Sequence, residues 1–84
     1  MKTRTFEVEG QTIEVKEVKY IFKGEDEIQR GFYIHQTSDV NGDGDGIVHA
    51  DNDSVEDISN IETLLEEMST NWEYDEEKDM YYVS

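Results

Sequence analysis

The 84-residue sequence contains no cysteine and no long apolar run. The absence of cysteine excludes disulfides and cysteine-based zinc sites, and it fits a reducing cytoplasm. The basic N-terminus is not followed by an apolar stretch, so we expect neither a signal peptide nor a membrane span. A chain of this length has room for one hydrophobic core, so we expect a single domain over residues 1–84 in a cytoplasmic protein.

Basic residues are scarce and unevenly placed. The chain has 7 Lys and Arg against 22 Asp and Glu, and none of the bases lies between Arg30 and Lys78. Residues 1–23 carry a net charge of +1, whereas residues 24–84 carry a net charge of −16. Like charges packed on one small domain repel each other and cost folding free energy. The arrangement therefore favours a role beyond stability, and the best candidate is binding to a strongly basic partner.

Alternation of apolar and polar residues predicts strands. The first two alternating runs have their apolar members at Phe6, Val8, Ile13 and Val15. Between the runs, Gly10 and Gln11 predict a two-residue hairpin turn in which the glycine takes the position that needs positive φ. Val8 would then lie opposite Ile13, and Phe6 opposite Val15.

The apolar positions change from odd to even numbers after Val15. A β-bulge near Lys16 and Glu17 would absorb the extra residue. Further strands are predicted by the apolar and aromatic residues Val18, Tyr20, Phe22, Ile28, Phe32, Ile34, Ile47, Val48, Trp72, Tyr74, Met80 and Tyr82. The last four of these flank an acidic turn, so they predict a final hairpin.

One amphipathic helix is predicted before that hairpin. Its apolar stripe at spacings of three and four residues consists of Val55, Ile58, Ile61, Leu64, Leu65 and Met68. Asp53 or Ser54 can act as its N-cap, with Glu56 or Asp57 completing a capping box. The element order is β-β-β-β-α-β-β, which predicts an α+β domain with the helix packed on a small antiparallel sheet.

The predicted helix exposes only acidic charges, at Glu56, Glu62, Glu66 and Glu67. Glu62 and Glu66 form a like-charged pair that costs a few tenths of a kcal/mol. Glu66 and Glu67 also lie in the last turn, where the helix dipole prefers cations. Neither choice helps the helix, so the carboxylates serve either solubility or the binding of a partner.

A short acidic chain without catalytic apparatus resembles the small DNA-mimic inhibitors made by phages and mobile elements, including anti-CRISPR and anti-restriction proteins. The resemblance rests on the acidic residues 39–79 and on the small α+β plan. It implies a non-enzymatic inhibitor, without a cofactor, that occupies the DNA-binding groove of an enzyme such as a CRISPR nuclease. Carboxylates would there satisfy arginines that otherwise read nucleic acid.

The predicted partner-binding residues are the acids of the helix and of the final hairpin, with one aromatic anchor. They are Asp51, Asp53, Glu56, Asp57, Glu62, Glu66, Glu67, Trp72, Glu73, Asp75, Glu76, Glu77 and Asp79. Tyr74 is a second possible anchor. For both aromatic residues the competing interpretation is a place in the core.

The alternative function is a calcium-binding interaction module that uses the loop of residues 39–53. Alternating Asp, Asn and Gly in this loop resemble the calcium loops of dockerins and EF-hands. The ligands under this interpretation would be Asn41, Asp43, Asp45 and Asp51. A register that begins at Asp39 puts Ala50 at position 12, and one that begins at Asn41 puts Asn52 there, so neither supplies the closing carboxylate. The competing interpretation is an acidic turn whose glycines supply positive φ.

Catalysis has the least support in the sequence. His35 and His49 lie in predicted strands, and neither shows a recognisable nucleophile-base spacing. The glycines of the loop lie among aspartates that would repel a phosphate group. Direct binding of nucleic acid is disfavoured for the same reason.

Overall fold

Six β-strands and two short helical segments make up the computed structural model, which describes residues 2–36, 44–50 and 54–84. The strands are β1 (Thr3–Val8), β2 (Gln11–Phe22), β3 (Gln29–Gln36), β4 (Asp45–His49), β5 (Trp72–Asp75) and β6 (Met80–Val83). A 3-10 helix (Val55–Asp57) and the α-helix α1 (Ile61–Glu67) lie between β4 and β5. The predicted α+β class is confirmed.

The strands form one sheet in the order β4-β3-β2-β6-β5, with β1 beside β2. β6 runs parallel to β2, pairing Tyr20 with Tyr81, whereas the other pairs are antiparallel. The prediction of an antiparallel sheet is therefore wrong for this pair. β1 covers only the first part of the 12-residue β2, so the end of β2 has an open edge that β6 fills. Side-chain alternation carries no information about strand direction.

The first hairpin turns one residue earlier than predicted. Glu9 and Gly10 form the turn with φ values of 50° and 83°, which places glycine at positive φ as expected. Phe6 lies opposite Ile13, so the predicted pairing of Val8 with Ile13 is wrong. The shift in register is two residues, and each side chain keeps its predicted face because the strand period is also two.

No β-bulge interrupts β2 where it pairs with β3. Residues 13–20 pair one by one with residues 29–36. The change from odd to even apolar positions occurs because β2 buries one face in its first part and the opposite face in its last part. Val15 packs in one hydrophobic cluster, and Val18 and Tyr20 pack in another on the opposite face. A strand that contributes side chains to two hydrophobic clusters on opposite faces shows the same shift of apolar positions as a strand with a β-bulge.

The first cluster is mostly aliphatic and lies under the helical segments. Its buried members are Ile13, Val15, Phe32, Ile34, Val48, Ala50, Val55, Ile58 and Ile61. Gly46 of β4 allows a close approach here, because a Cβ at this position would lie 2.6 Å from the Met68 sulfur. α1 thus contributes one side to this core and leaves its charged side to solvent.

The second cluster is rich in aromatic residues. Tyr20, Ile47, Tyr81 and Val83 are buried in it, with Tyr33 and Trp72 partly buried around them. Two hydrogen bonds of 2.9 and 2.7 Å join the backbone of Ile47 to that of Ser69, which precedes β5. The segment between α1 and β5 therefore pairs with β4 before it reaches β5.

The predicted helix is split into two pieces. The capping box of Ser54 and Asp57 is confirmed, but it begins only the three-residue 3-10 helix. The backbone is extended at Ile58, and Asn60 then caps α1 by accepting hydrogen bonds from the N–H groups of residues 62 and 63. Neither helical segment in the described ranges is long and apolar enough to cross a membrane.

Arg4 explains the break between the two helical segments. Its guanidinium donates hydrogen bonds to the carbonyls of Val55, Glu56 and Ile58, at 3.4, 3.2 and 2.6 Å. These carbonyls would accept bonds from the next turn in a continuous helix. Ser and Asn at positions 59 and 60 also favour caps over helix interiors. A contact from β1 thus ends the first segment, and Asn60 starts the second.

Candidate functional site

The carboxylates of α1 stand without basic neighbours. Glu62, Glu66 and Glu67 are exposed. Among the described residues, the Lys and Arg side chains form ion pairs with Glu17 and Glu73 and with no acid of α1. The helix therefore keeps both of its predicted liabilities: the like-charged pair and the acidic last turn.

Glu56 and Asp57 belong to the 3-10 helix, so the predicted array of four acids on one helix does not form. Glu56 is exposed, whereas the Asp57 carboxylate accepts hydrogen bonds from the N–H and hydroxyl of Ser54. Asp51 and Asp53 lie outside the described residues. Three carboxylates on α1 and one on the 3-10 helix remain as the acidic surface of this region.

The final hairpin divides the predicted acids by role. Asp75 accepts hydrogen bonds from the backbone N–H groups of Glu77 and Lys78, at 3.0 and 3.3 Å, and so shapes the turn. Asp79 adopts a φ of 51° and accepts a hydrogen bond from the Tyr74 hydroxyl at 2.8 Å. That hydrogen bond is the main reason that the pKa of Tyr74 rises to about 12.

The remaining hairpin acids differ in their neighbours. Glu73 forms an ion pair of 3.2 Å with Lys23, next to the end of β2. Glu76 and Glu77 are exposed at the tip of the turn. The tip therefore presents two carboxylates to solvent, and the base of the hairpin is partly neutralised.

Trp72 is partly buried and packs against the second hydrophobic cluster. Its indole N–H donates to the backbone carbonyl of Asp45 at 3.4 Å. Its ring packs edge-on against Tyr33 and Tyr81, with centroid distances of 5.4 Å in both cases. Tyr74, with 44% of its surface exposed, is the more accessible of the two predicted anchors.

An unpredicted polar cluster joins β3 and β4. The Asp45 carboxylate accepts a hydrogen bond from the Tyr33 hydroxyl at 2.5 Å. Its second oxygen lies 2.8 Å from His35 Nδ1, which must donate because an ionised carboxylate only accepts. Burial, followed by the bond to Asp45, raises the pKa of Tyr33. The pairing of His35 with Asp45 in the sheet creates this cluster, and a sequence signal for it would require the register between β3 and β4.

Of the four candidate calcium ligands, Asp45 is the one that lies within the described residues. Both of its carboxylate oxygens already hold side chains of the protein. The other candidate ligands, Asn41, Asp43 and Asp51, lie outside the described residues. Within the described ranges no group of three or more His, Asp or Glu side chains is arranged to hold a metal ion.

Both histidines are anchored by neighbours. His35 is bonded to Asp45 as described, and His49 Nδ1 shares a hydrogen bond of 2.9 Å with the Tyr20 hydroxyl. These contacts orient the rings.

The bases make contacts that build the fold. Arg30 pairs with Glu17 at 3.0 Å, and Lys16 lies 5.1 Å from the centre of the Tyr33 ring. Lys78 donates to the Tyr82 hydroxyl at 3.4 Å. Arg4 and Lys23 also contact other parts of the protein. Most of the bases therefore bind groups of the fold, and none of these contacts is with an acid of α1.

Comparisons with protein-family models, with curated proteins and with solved structures found no match for this chain. The function is therefore inferred from geometry and charge.

Proposed function

We propose that this protein is a non-enzymatic inhibitor that occupies the basic nucleic-acid-binding site of another protein, such as a CRISPR nuclease or a restriction enzyme. The observation that carries the proposal is the set of exposed carboxylates on α1, which form no ion pair with a base among the described residues. A DNA-targeting enzyme works in the cytoplasm of a bacterial host, so the inhibitor would act there.

The spacing of the α1 carboxylates supports this function. With a rise of about 1.5 Å per residue, Glu62 to Glu67 spans about 7.5 Å and carries three carboxylates. One DNA strand carries a phosphate about every 3.4 Å. The charge density along the helix thus approaches that of a nucleic-acid backbone. Arginines that grip phosphates can form bidentate hydrogen bonds with carboxylates of this kind.

The energetics of α1 also support a role in binding. The repulsion between Glu62 and Glu66 and the acids in the last turn each cost a few tenths of a kcal/mol in the free protein. Arginines or lysines of a partner would remove both costs on binding. Complementary charge would also speed the encounter at low salt.

A competition experiment tests the proposal. Labelled duplex DNA is bound to members of a panel of CRISPR nucleases and restriction enzymes, and the protein is added at about 50, 150 and 500 mM salt. We expect at least one enzyme to lose its DNA, with competition that weakens as salt rises. The proposal is contradicted if no enzyme of a broad panel loses its DNA. It is also contradicted if the displacement of DNA does not depend on the salt concentration.

Charge reversals then identify the surface. Glu62→Lys with Glu67→Lys on α1, and Glu76→Lys with Glu77→Lys at the hairpin tip, should each weaken inhibition by at least tenfold. The matched control is Glu7→Lys with Glu9→Lys in the first hairpin, because each pair changes the net charge from −15 to −11. If the control weakens inhibition equally, total charge and not the acidic surface determines binding.

A further inference from the structure

An apolar groove of about 250 Å³ opens beside the acidic end of α1. It lies between the ends of β2 and β6, strand β4 and the segment that follows α1. Its walls include Tyr20, Phe22, Ile47, His49, Glu67 and Val83. Four of these six side chains are aromatic or aliphatic residues without charge, so the groove suits an apolar group.

Phe22 leaves one wall of this groove open to solvent. Its side chain is 40% exposed, although its ring packs edge-on against Tyr20 at a centroid distance of 5.4 Å. Phe22 and the other apolar walls form one apolar surface, which Glu67 also lines. A ligand that covered Phe22 would bury this surface without displacing any part of the core.

The groove is held in shape by hydrogen bonds. Tyr20 and His49 share a bond of 2.9 Å between their side chains. On the other side, Ile47 and Ser69 exchange two backbone hydrogen bonds. Walls that are joined by such bonds need less ordering when a ligand binds, and this lowers the entropy cost of binding.

The negative charge of Glu67 favours a ligand that carries positive charge. Glu67 lines the groove and has no Lys or Arg partner among the described residues. Glu67 and His49 also line an adjoining, more polar groove of about 230 Å³ that contains Asp57. Lys23, which follows Phe22, is paired with Glu73. An apolar group that enters here therefore fits best when cations flank it.

We propose that the groove receives one apolar side chain of the partner protein, with a neighbouring Lys or Arg of the same segment bound to Glu67. This inference rests on the proposed function, because it names a specific contact within the same basic partner. Nucleic acid and acidic peptides would meet like charge at Glu67. A second copy of the chain also carries a net charge of −15, so self-association through this groove is opposed.

Peptide titration followed by nuclear magnetic resonance tests the groove directly. The probe is a five-residue peptide in which a tryptophan is flanked on each side by two arginines. We expect shift changes at the backbone amides of Val83, Ser69 and Phe22. Replacing the tryptophan by serine should weaken binding about tenfold, which corresponds to about 1.4 kcal/mol. Replacing the arginines by glutamates should abolish binding.

Two substitutions in the protein separate the groove from general charge. Glu67→Gln should weaken the tryptophan peptide about two- to fivefold. The matched control, Glu62→Gln, removes the same charge from the same helix but does not line the groove, so it should have a smaller effect. Phe22→Ser should reduce binding of the tryptophan peptide and leave binding of the serine peptide unchanged.

Three results would overturn the inference: equal affinity for the tryptophan and serine peptides, equal effects of Glu67→Gln and Glu62→Gln, or no shift changes in the groove at about millimolar peptide. These results would leave the proposed function standing if the protein still displaced DNA from its target. Conversely, peptide binding in the groove with no displacement of DNA from any enzyme would overturn the proposed function, and with it the identity of the partner.

Discussion

The N-terminal strands and the C-terminal segment use charge in opposite ways. Six of the seven bases lie in residues 2–36, and Arg4, Lys16, Lys23 and Arg30 all contact other parts of the fold. In residues 54–84 the exposed acids of α1 and of the hairpin tip have no such contacts with bases. Charge in the first region supports the structure, and charge in the second is left for interactions outside the protein.

The difference shows why net charge alone is a poor guide to a binding surface. Asp45, Asp57, Asp75 and Asp79 are acidic like their neighbours, yet each accepts a hydrogen bond that shapes the fold. The glutamates of α1 do not. A carboxylate that already holds protein donors is less available to a partner, so local contacts decide which acids form the surface.

Removal of Arg4 should have the largest effect on stability. Arg4→Met removes the guanidinium donor from the carbonyls of Glu56 and Ile58, and it leaves the Val55 carbonyl only its 3.5 Å bond from the Ile58 N–H. We expect the free energy of unfolding to fall by about 2 kcal/mol. Urea denaturation measures the loss. Lys19→Met is the control, because Lys19 is an exposed base in β2, and its effect should stay within about 0.5 kcal/mol. Equal effects would show that the N-terminal bases act through bulk charge and not through specific contacts.

Loss of the Tyr33 hydroxyl should be next in size. Tyr33→Phe leaves one Asp45 oxygen without its donor, and we expect a loss of about 1 to 2 kcal/mol in the free energy of unfolding. Tyr82→Phe removes a hydroxyl that only accepts a long bond from exposed Lys78, so it should cost less than about 0.5 kcal/mol. If Tyr82→Phe lowers the free energy of unfolding more than Tyr33→Phe does, the bond between Tyr33 and Asp45 contributes no more to stability than an exposed contact.

Tyr33 and Tyr74 predict how the stability of the protein responds to alkaline pH. The pKa of Tyr33 is raised by burial and by Asp45, and that of Tyr74 is raised to about 12 by Asp79. In the unfolded chain a tyrosine loses its proton near pH 10. The stability that these groups contribute is therefore complete below about pH 10 and declines as the pH rises towards their folded-state pKa values.

Phenolate absorbance of folded and urea-unfolded protein measures these shifts. We expect the folded protein to titrate at higher pH than the unfolded protein. Tyr74→Phe should remove the folded-state transition near pH 12. Identical titration curves for the two states would contradict the assigned hydrogen bonds.

A base in the last turn of α1 should stabilise the protein slightly. Glu66→Lys removes the repulsion with Glu62 and places a cation near the C-terminus of the helix, so we expect a gain of about 0.3 to 1 kcal/mol. Glu7→Lys in β1 makes the same change in charge on a strand, and it should alter stability less. Thermal denaturation at low salt measures both. Destabilisation by Glu66→Lys would show that the α1 acids support the fold after all.

The smallest effect is expected from calcium. If the loop of residues 39–53 is only an acidic turn, calcium and magnesium at equal ionic strength should give melting temperatures within about 1 °C of each other. A rise specific to calcium that is lost in Asp43→Asn would support the calcium interpretation. It would also assign a function to acids of the loop, which lies between the two regions compared here, residues 2–36 and 54–84.

Local patterns in the sequence predicted the elements that depend on neighbouring residues. Alternation predicted the strands that contain Phe32 and Ile34, glycine predicted the tight turn at Gly10, and the spacing of Ser54 and Asp57 predicted the capping box. Each depends on a backbone preference or a hydrogen bond within a few residues. The acidic character of residues 54–84 is likewise a property of composition.

Tertiary contacts decided the features that sequence patterns missed. Arg4 divides the helix from a position 54 residues before Ile58, and Lys23 neutralises Glu73 across 50 residues. The parallel pairing of β6, the packing of Trp72 and the cluster around Asp45 also join segments that are distant in the chain. The sequence by itself determined how the charge is divided along the chain. Only the fold decided which carboxylates remain exposed without a base, because each neutralising contact depends on the register and packing of distant strands.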